Sequence, residues 1–183
     1  MTKPASRPAL FLDRDGVINV DRNYIYRVED FEWIEGAADV IRRFNEKGWW
    51  VFVVTNQSGI GRGLFDMDTL NAIHEKMHRA VQQAGGRIDA IFYCPHPIEA
   101  DCNCRKPRTG MFERIAGCFN IDLVGTPSVG DSLRDLQAAA AVGARPLLVL
   151  TGKGTQTQAE GGLPEGTQVF PDLATAAEHI LRS

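Results

Sequence analysis

The feature that most constrains the fold of this chain is an alternation between short apolar runs and stretches whose apolar residues recur at helical spacing. The apolar runs are continuous and do not alternate with polar residues. Such runs are typical of strands that are buried on both faces of a parallel sheet. The predicted strands are Ala9 to Leu12, Trp49 to Val54, Ala90 to Tyr93, Ser128 to Val129, Pro146 to Leu150 and Gln168 to Phe170.

Between these runs, apolar residues recur every three or four positions, which predicts amphipathic helices. Gly48 is a stop signal for the first helix, and Gly85-Gly86 for the second. Repeating strand and helix units predict an α/β fold with a doubly wound, mostly parallel, Rossmann-like sheet. The predicted helices are Ala37 to Phe44, Leu70 to Ala84, Met111 to Phe119, Leu133 to Ala141 and Leu173 to Leu181, whereas Gly152 to Gly166 is predicted as a loop.

Length and charge narrow the class of protein. The 183 residues fit a single domain, 1–183, and a net charge of −3 without a basic block does not suggest nucleic-acid binding. Met1 to Pro8 is polar, and no apolar run is long enough to span a bilayer. We therefore expect a cytoplasmic protein with no nucleic-acid or membrane partner, in which cysteines are thiols or metal ligands and not disulfides.

Two carboxylates follow the first predicted strand directly. Asp13 and Asp15 are two positions apart, so in an extended chain both side chains point to the same side. Two close carboxylates repel each other unless a proton or a cation lies between them, and oxygen ligands suit Mg²⁺. A solvated acidic turn is an equally good interpretation when this pair is taken alone.

Further polar groups follow the other predicted strands. Thr55 to Gly59 follows the second strand and offers a hydroxyl and backbone N–H groups, which bind phosphate oxygens. Lys106 comes a short loop after the third strand, and Asp131 follows the fourth. Because ligands of such folds bind at the carboxyl ends of the strands, these groups together predict a phosphate and metal site at one edge of the sheet.

Three cysteines and one histidine lie within eleven residues: Cys94, His96, Cys102 and Cys104. A Cys₃His set closes a tetrahedral structural Zn²⁺ site with no open position. The alternatives are four incidental residues or a redox pair formed by Cys102 and Cys104. Zinc is favoured because the ligand set is complete, and the loop would then position Lys106, which follows it closely.

One pattern resembles a metalloprotease motif but is interpreted differently. His74 to His78 matches H-E-x-x-H on a predicted helix. Met77 belongs to the apolar stripe of that helix, so a solvated helix face is the favoured interpretation for the histidines. Cys118 lies three residues after Ile115 and is predicted to pack in the core.

The run Phe11 to Gly16, together with Thr55-Asn56, Lys106 and Gly130-Asp131, resembles the haloacid dehalogenase-type phosphatases. The resemblance implies that Asp13 is the nucleophile and that Asp15 protonates the leaving oxygen and later activates water. It also implies that Thr55 and Lys106 hold the phosphoryl group, and that Mg²⁺ is bound by Asp13, the Asp15 carbonyl and Asp131. Asp135 fits either the second acidic position of the family or a helix-surface carboxylate.

Haloacid dehalogenase-type phosphatases often carry a cap domain inserted soon after the first strand or after the third. In this chain Val17 to Glu35, which follows the first predicted strand, leaves space for a flap only. The resemblance therefore narrows to the capless group with a zinc loop. Members remove the 7-phosphate of D-glycero-D-manno-heptose 1,7-bisphosphate, in ADP- or GDP-heptose precursor biosynthesis for lipopolysaccharide, or hydrolyse histidinol phosphate. Thr55 to Gly63 resembles the heptose enzymes, and Ser58 stands where histidinol phosphatases usually have Asp. The alternatives are histidinol phosphate hydrolysis and a non-catalytic sugar-phosphate-binding protein.

The resemblance also implies the substrate contacts of a monomer that acts on a small sugar bisphosphate. Arg105 would recognise the far phosphate, a task that suits a planar guanidinium group. One position departs from the family pattern, because heptose enzymes often have Lys where this chain has Ser132. The implied substrate contacts are Asp21, Arg22, Asn23, Tyr24, Thr55, Asn56, Gln57, Ser58, Arg105 and Lys106.

Overall fold

The computed structural model describes residues 7–182, so most of the N-terminal segment Met1 to Pro8 lies outside the described residues. Six parallel strands form one sheet in the order β3-β2-β1-β4-β5-β6. The strands are β1 (Ala9–Leu12), β2 (Trp50–Asn56), β3 (Ala90–Cys94), β4 (Pro127–Gly130), β5 (Arg145–Val149) and β6 (Gln168–Phe170).

Helices connect the strands, and a short 3₁₀ turn, Val28–Asp30, lies in the flap after β1. Asp66 caps the start of α2, since its carboxylate accepts a hydrogen bond from the N–H of Thr69 at 2.8 Å. The helices are α1 (Ala37–Glu46), α2 (Met67–Gln83), α3 (Gly110–Phe119), α4 (Leu133–Ala141), α5 (Gly154–Glu160) and α6 (Leu173–Arg182).

The core lies in two layers, one on each face of the sheet. Along β1, Leu10 and Leu12 pack with residues of α1, α2 and α6, whereas Ala9 and Phe11 pack with residues of α3. This alternation follows from the two-residue repeat of a strand, and it explains why β1 is apolar at every position. The predicted α/β class, the parallel sheet and the absence of a large cap are confirmed.

Three local predictions are wrong. The segment predicted as a loop contains α5, a seven-residue helix whose only buried residues are Gly154 and Thr157. His74 is buried and not solvated, because it lies beside Ile73 on the inner face of α2. Cys118 is exposed, since the buried face of α3 is already filled by Met111, Phe112 and Ile115.

Among residues 7–182, no helix combines the length and the apolarity that a membrane crossing requires.

Candidate active site

A cluster of carboxylates lies where β1 and β4 end side by side. The N–H of Asp13 donates to the carbonyl of Val129 at 2.9 Å, which ties the residue after β1 to β4. Asp131 follows β4 directly, and Asp135 lies in the first turn of α4. Oxygen atoms of Asp13, Asp131 and Asp135 lie within 4.8 Å of one another. Such an all-oxygen donor set fits a hard divalent cation such as Mg²⁺.

Lys106 is buried against this cluster. Its ammonium group lies 2.9 Å from Asp13 Oδ1 and 2.8 Å from Asp135 Oδ1, and it donates to the carbonyl of Val54 at 2.6 Å. The residue is only 2% exposed. Asn56 holds its backbone, because the two residues exchange hydrogen bonds of 3.1 Å between the Asn56 amide and the Lys106 peptide groups. Lys106 is therefore fixed as a point charge beside Asp13 and Asp135.

When ionised, the three carboxylates of the cluster carry more negative charge than Lys106 alone can balance. Burial raises the pKa of Asp13 to about 6, against the opposing effect of Lys106. Burial also raises the pKa of Asp131 to about 8, with Asp135 and Asp13 adding repulsion. Burial opposes ionisation of Asp135 as well, but the charge and hydrogen bond of Lys106 lower its pKa overall. Asp135 is thus part of the cluster, and the helix-surface interpretation is wrong.

Two glycines allow the backbone to close around Asp131. A Cβ atom on Gly16 would lie 2.0 Å from Asp131 Oδ2, and one on Gly152 would lie 2.2 Å from the same oxygen. Gly16 also has a φ of +85°, which side chains rarely permit. The Asp131 carboxylate further accepts a hydrogen bond from the N–H of Lys153 at 2.8 Å. Asp131 is therefore held in one orientation by the chain around it.

The carboxylate cluster, Lys106 and Asp15 line one cavity, which we call the inner cavity. The Asp15 carboxylate accepts hydrogen bonds from neighbouring side chains of the protein. Its Oδ1 accepts hydrogen bonds from Arg14 Nη2 at 2.9 Å and Asn19 Nδ2 at 3.0 Å, and its Oδ2 accepts one from Gln57 Nε2 at 3.0 Å. Burial opposes ionisation, yet the charge of Arg14 and these hydrogen bonds lower the pKa of Asp15 overall. The same Gln57 amide donates to Thr55 Oγ1 at 2.9 Å, which links the carboxylate to the end of β2.

A second, outer cavity adjoins the inner one and has a basic character. Asn23, Asn56, Arg134 and Lys153 line both cavities. Arg14 and Arg105 line the outer cavity, and each keeps one buried guanidinium nitrogen without a hydrogen-bond partner. Buried donors of this kind are costly unless a ligand satisfies them. Tyr24, Gln57 and Ser58 also line this cavity.

The flap borders both cavities, since Asn23 lines each of them and Asp21 lines the inner one. Asp21 joins the flap to Lys153. Its carboxylate lies 3.1 Å from the ammonium group of Lys153 and accepts a hydrogen bond from the N–H of Asn23 at 2.8 Å. Tyr24 accepts a hydrogen bond from Arg62 at 3.1 Å, which joins the flap to the loop after β2. Arg22 differs from these neighbours, since it is exposed and pairs with Glu32 away from both cavities.

The three cysteines and His96 come together at the end of β3. Cys104 Sγ lies 3.2 Å from Cys94 Sγ and 3.2 Å from His96 Nδ1, and Cys102 Sγ lies 3.6 Å from Cys94 Sγ. Ligands about 2.3 Å from a tetrahedral Zn²⁺ would lie about 3.8 Å apart, so small outward shifts of these atoms would accommodate the ion. Burial raises the pKa of Cys94 to about 12, so neighbouring thiolates need a cation between them. These sulfur and nitrogen donors fit Zn²⁺.

Sequence reasoning missed several residues that line the cavities. Arg134 and Lys153 have no motif of their own, although Lys153 follows β5 at the edge of the sheet where the other groups were sought. Arg14 and Asn19 bind Asp15 but were not considered as site residues.

The H-E-x-x-H histidine His74 is near Arg14. Burial lowers the pKa of His74 to about 3, and the charge of Arg14 adds to this effect, so the imidazole is neutral.

Comparisons with known proteins agree with this geometry. Residues 11–133 match the family model described as polynucleotide kinase 3 phosphatase, and residues 103–176 match the HAD-hydrolase-like model. The chain is 55% identical over 175 residues to a D-glycero-beta-D-manno-heptose-1,7-bisphosphate 7-phosphatase from Bordetella bronchiseptica, covering 94% of this chain and 97% of the relative. A relative of the same description from Neisseria meningitidis is 50% identical over 176 residues, or 94% of each chain.

Solved structures give the same relationship. The crystal structure of D,D-heptose 1,7-bisphosphate phosphatase from B. bronchiseptica, complexed with magnesium and phosphate, superposes with a TM-score of 0.93 at 52% identity. The superposition covers 96% of this chain and 98% of the other. A D,D-heptose 1,7-bisphosphate phosphatase from Burkholderia thailandensis gives a TM-score of 0.78 at 50% identity, over 97% and 100% of the two chains. The carboxylate cluster, the buried lysine and these relationships establish that the chain belongs to the haloacid dehalogenase-type phosphatases.

Proposed function

We propose that this chain removes the 7-phosphate of D-glycero-D-manno-heptose 1,7-bisphosphate through a phospho-aspartate intermediate on Asp13. The observation that carries the proposal is the pair of adjoining cavities. The inner one holds the carboxylate cluster with Lys106, and the outer one offers unpartnered guanidinium nitrogens of Arg14 and Arg105. One cavity suits the phosphoryl group that reacts, and the other suits a second phosphate at the far end of the same substrate.

The chemistry follows from the positions of the side chains. Asp13 attacks phosphorus, the bond to the sugar oxygen breaks, and Asp15 gives its proton to that oxygen. Water then attacks the phospho-aspartate, Asp15 takes a proton from it, and phosphate leaves with Asp13 restored. Lys106 neutralises charge on the phosphoryl oxygens as their geometry changes. A Mg²⁺ ion held by Asp13, Asp131 and the Asp15 carbonyl supplies further charge neutralisation when bound.

Asp15 must carry a proton in the first of these steps, although its surroundings in the free protein favour the ionised form. A phosphate dianion that enters the inner cavity brings negative charge beside this carboxylate. Like charges raise the pKa of a carboxylic acid, so substrate binding itself promotes protonation of Asp15. Proton donation to the leaving oxygen then leaves Asp15 ionised, and this ionised form acts as the base toward water in the second step.

The substrate anomer is proposed from the relatives. The relatives from Bordetella bronchiseptica and Neisseria meningitidis are by name phosphatases of the beta anomer, and we extend that preference to this chain. The missing Lys at position 132 has a local explanation, because the Ser132 hydroxyl and N–H both donate to Asp135 Oδ2, at 2.6 and 3.0 Å. Arg134 and Lys153 line the cavities and provide positive charge nearby.

The Cys₃His loop is proposed to bind one structural Zn²⁺. The proposal is supported by its four donor atoms, which lie within 4.8 Å of one another, and by the Cys₃His composition, which is that of closed structural sites. Metal binding would fix the loop between Cys94 and Cys104, and Lys106 follows two residues later. We also propose that residues 1–183 act as a single-domain, monomeric, cytoplasmic enzyme in the supply of heptose for lipopolysaccharide.

A substrate panel tests the proposed function. It contains both anomers of the heptose bisphosphate, histidinol phosphate and a 3′-phosphorylated oligonucleotide, with ³¹P NMR to identify the phosphate that is lost. The beta bisphosphate should give the highest kcat/KM, with cleavage at position 7. Arg105→Gln should lower kcat/KM for the bisphosphate by about 10-fold or more, whereas Arg79→Gln, an exposed change on α2, should have no effect. Faster hydrolysis of histidinol phosphate or of the oligonucleotide would contradict the proposal.

A further inference from the structure

We propose that Arg14 is a positioning residue, whose buried guanidinium group holds the Asp15 carboxylate in the orientation required for proton transfer. The inference rests on the proposed phosphatase function, and it assigns Arg14 a role in proton transfer beside its place in the lining of the outer cavity. Arg14 stands between the nucleophile Asp13 and the acid–base Asp15 in the chain.

The contact between Arg14 and Asp15 is made by a fork of donors. Arg14 Nη2 lies 2.9 Å from Asp15 Oδ1 and 3.0 Å from Oδ2, and Nε lies 3.3 Å from Oδ1. Contacts to both oxygens fix the plane of the carboxylate as well as its distance. The Asp15 side chain as a whole is 25% exposed and lines the inner cavity, where the leaving oxygen would arrive.

The base of the arginine is also rigid. The Arg14 carbonyl accepts hydrogen bonds from three successive N–H groups, those of Val17 at 3.3 Å, Ile18 at 2.8 Å and Asn19 at 3.1 Å. The side chain is 1% exposed and is among the largest fully buried side chains of the described residues. An anchored backbone and a close-packed side chain leave the guanidinium group little freedom to move.

The energetic cost of this arrangement favours a functional role. A buried guanidinium group loses its hydration, and a buried ion pair often contributes no net stability. Within residues 7–182, Asp15 is the only carboxylate that forms an ion pair with Arg14. Asn19 and Gln57 each give Asp15 one neutral hydrogen bond. Arg14 therefore supplies the charged, two-oxygen contact that those amides cannot replace.

The test compares substrates that differ in their need for an acid. An aryl phosphate such as p-nitrophenyl phosphate has a stable leaving anion, whereas a sugar oxygen needs the proton from Asp15 as the P–O bond breaks. The parameter kcat/KM reports events up to leaving-group departure, and kcat also includes attack of water on the phospho-aspartate, where Asp15 acts as base. Because Arg14 also lines the outer cavity, the sugar substrate in this comparison is heptose 7-phosphate, which has no second phosphate. Arg14→Gln should lower kcat/KM for heptose 7-phosphate by about 100-fold, and that for the aryl phosphate by only a few-fold.

The ratio of the two kcat/KM values does not depend on the folded fraction, because the same folded molecules turn over both substrates. Arg14→Lys keeps the buried charge without the fork, so it should show an intermediate ratio and serves as the test if Arg14→Gln does not fold. In an Asp15→Asn background, Arg14→Gln should cost less than about 3-fold more, since residues that act as a unit are not additive. Arg79→Gln is the control and should leave the ratio unchanged.

Equal losses on both substrates, or full additivity with Asp15→Asn, would show that Arg14 is merely structural and would overturn the inference. An unchanged ratio in Arg14→Lys would show that charge alone suffices, which would also overturn the positioning role. Failure of the proposed function is distinguishable, since it would appear in the wild-type protein as absent turnover of the heptose bisphosphate. The comparison then uses any alkyl phosphate that the wild-type protein hydrolyses.

Discussion

Replacing Lys106 by Met should destabilise the protein strongly, and the effect should depend on magnesium. The ammonium group lies within 2.9 Å of both Asp13 and Asp135, in a site where the lysine is 2% exposed. Breaking a buried ion pair by removing one partner costs about 3–5 kcal/mol, because the remaining charge is left uncompensated. For a chain of this size the loss corresponds to a fall in Tm of roughly 6–20 °C.

The pH dependence of this loss has a definite sign. Lys106 lowers the pKa of Asp135 in spite of burial, so the pairing stabilises the protein above the unfolded pKa of about 4 and is lost as the pH falls through the lower folded pKa. In Lys106→Met the same carboxylates repel each other when ionised, and protonation relieves the repulsion. The difference in unfolding free energy between the two proteins should therefore be largest near pH 7 and shrink toward pH 4.

The assay is urea unfolding followed by circular dichroism, in Mg-free buffer and with saturating Mg²⁺, at several pH values. Added Mg²⁺ should recover part of the loss, because a cation on the carboxylates replaces the missing charge. Lys76→Met is the matched control, since Lys76 donates to the carbonyls of Val28 and Phe31 at 2.8 and 2.9 Å and forms no ion pair with a carboxylate of residues 7–182. A loss for Lys106→Met of no more than about 1 kcal/mol, typical of an average substitution, would refute this reasoning.

Three further outcomes are expected. Asp13→Asn should abolish phosphate release while the protein stays folded, because an amide is a poor nucleophile toward phosphorus; wild-type-like release would remove the central mechanism. Activity should be lost on brief EDTA treatment, and the rise in Tm on adding Mg²⁺ should be larger at pH 8 than at pH 5. The reason is that the pKa values of Asp13 and Asp131 are raised, to about 6 and 8. Ionisation of these carboxylates therefore destabilises the metal-free protein progressively as the pH rises from about 4 to 8. Cys102→Ser should lose tightly bound zinc, measured by elemental analysis, together with much of the turnover, while circular dichroism shows that the sheet persists; retention of both zinc and activity would contradict the zinc loop.

The strands were predictable because burial on both faces leaves a continuous apolar run, as in β1 and β2. Helix α5 was not, because it is seven residues long and has no apolar stripe. Its position depends on a tertiary contact, the hydrogen bond of 2.8 Å from the Thr157 hydroxyl to the Asp131 carbonyl. Lys153, just before this helix, was missed for the same reason, since a residue in an assumed loop gives no indication of where its side chain lies.

The error at His74 had a signal in the sequence. Leu70, Ile73, His74 and Met77 follow the spacing of one helix face, so the apolar stripe that the spacing predicts also includes His74, although we interpreted this residue as solvated. The motif nevertheless suggested either a metal ligand or a solvated residue, and the structure shows neither. Spacing along a helix was thus a better guide than a short motif. Neither helical spacing nor a short motif predicts the ion pair of Lys106 with Asp135, because both describe neighbours along the chain and these two residues are 29 positions apart.

Charge balance between the two cavities favours a bisphosphate over histidinol phosphate. In the inner cavity, three carboxylates oppose Lys106, which leaves two negative charges for one divalent cation to balance, while Asp15 is balanced by Arg14. The outer cavity holds Arg105, Arg134 and Lys153, against which Asp21 supplies one negative charge. A second phosphate dianion balances this excess and satisfies the unpartnered guanidinium nitrogens. Histidinol would instead bring its ammonium group toward like charges in a low-dielectric cleft, where repulsion is strong.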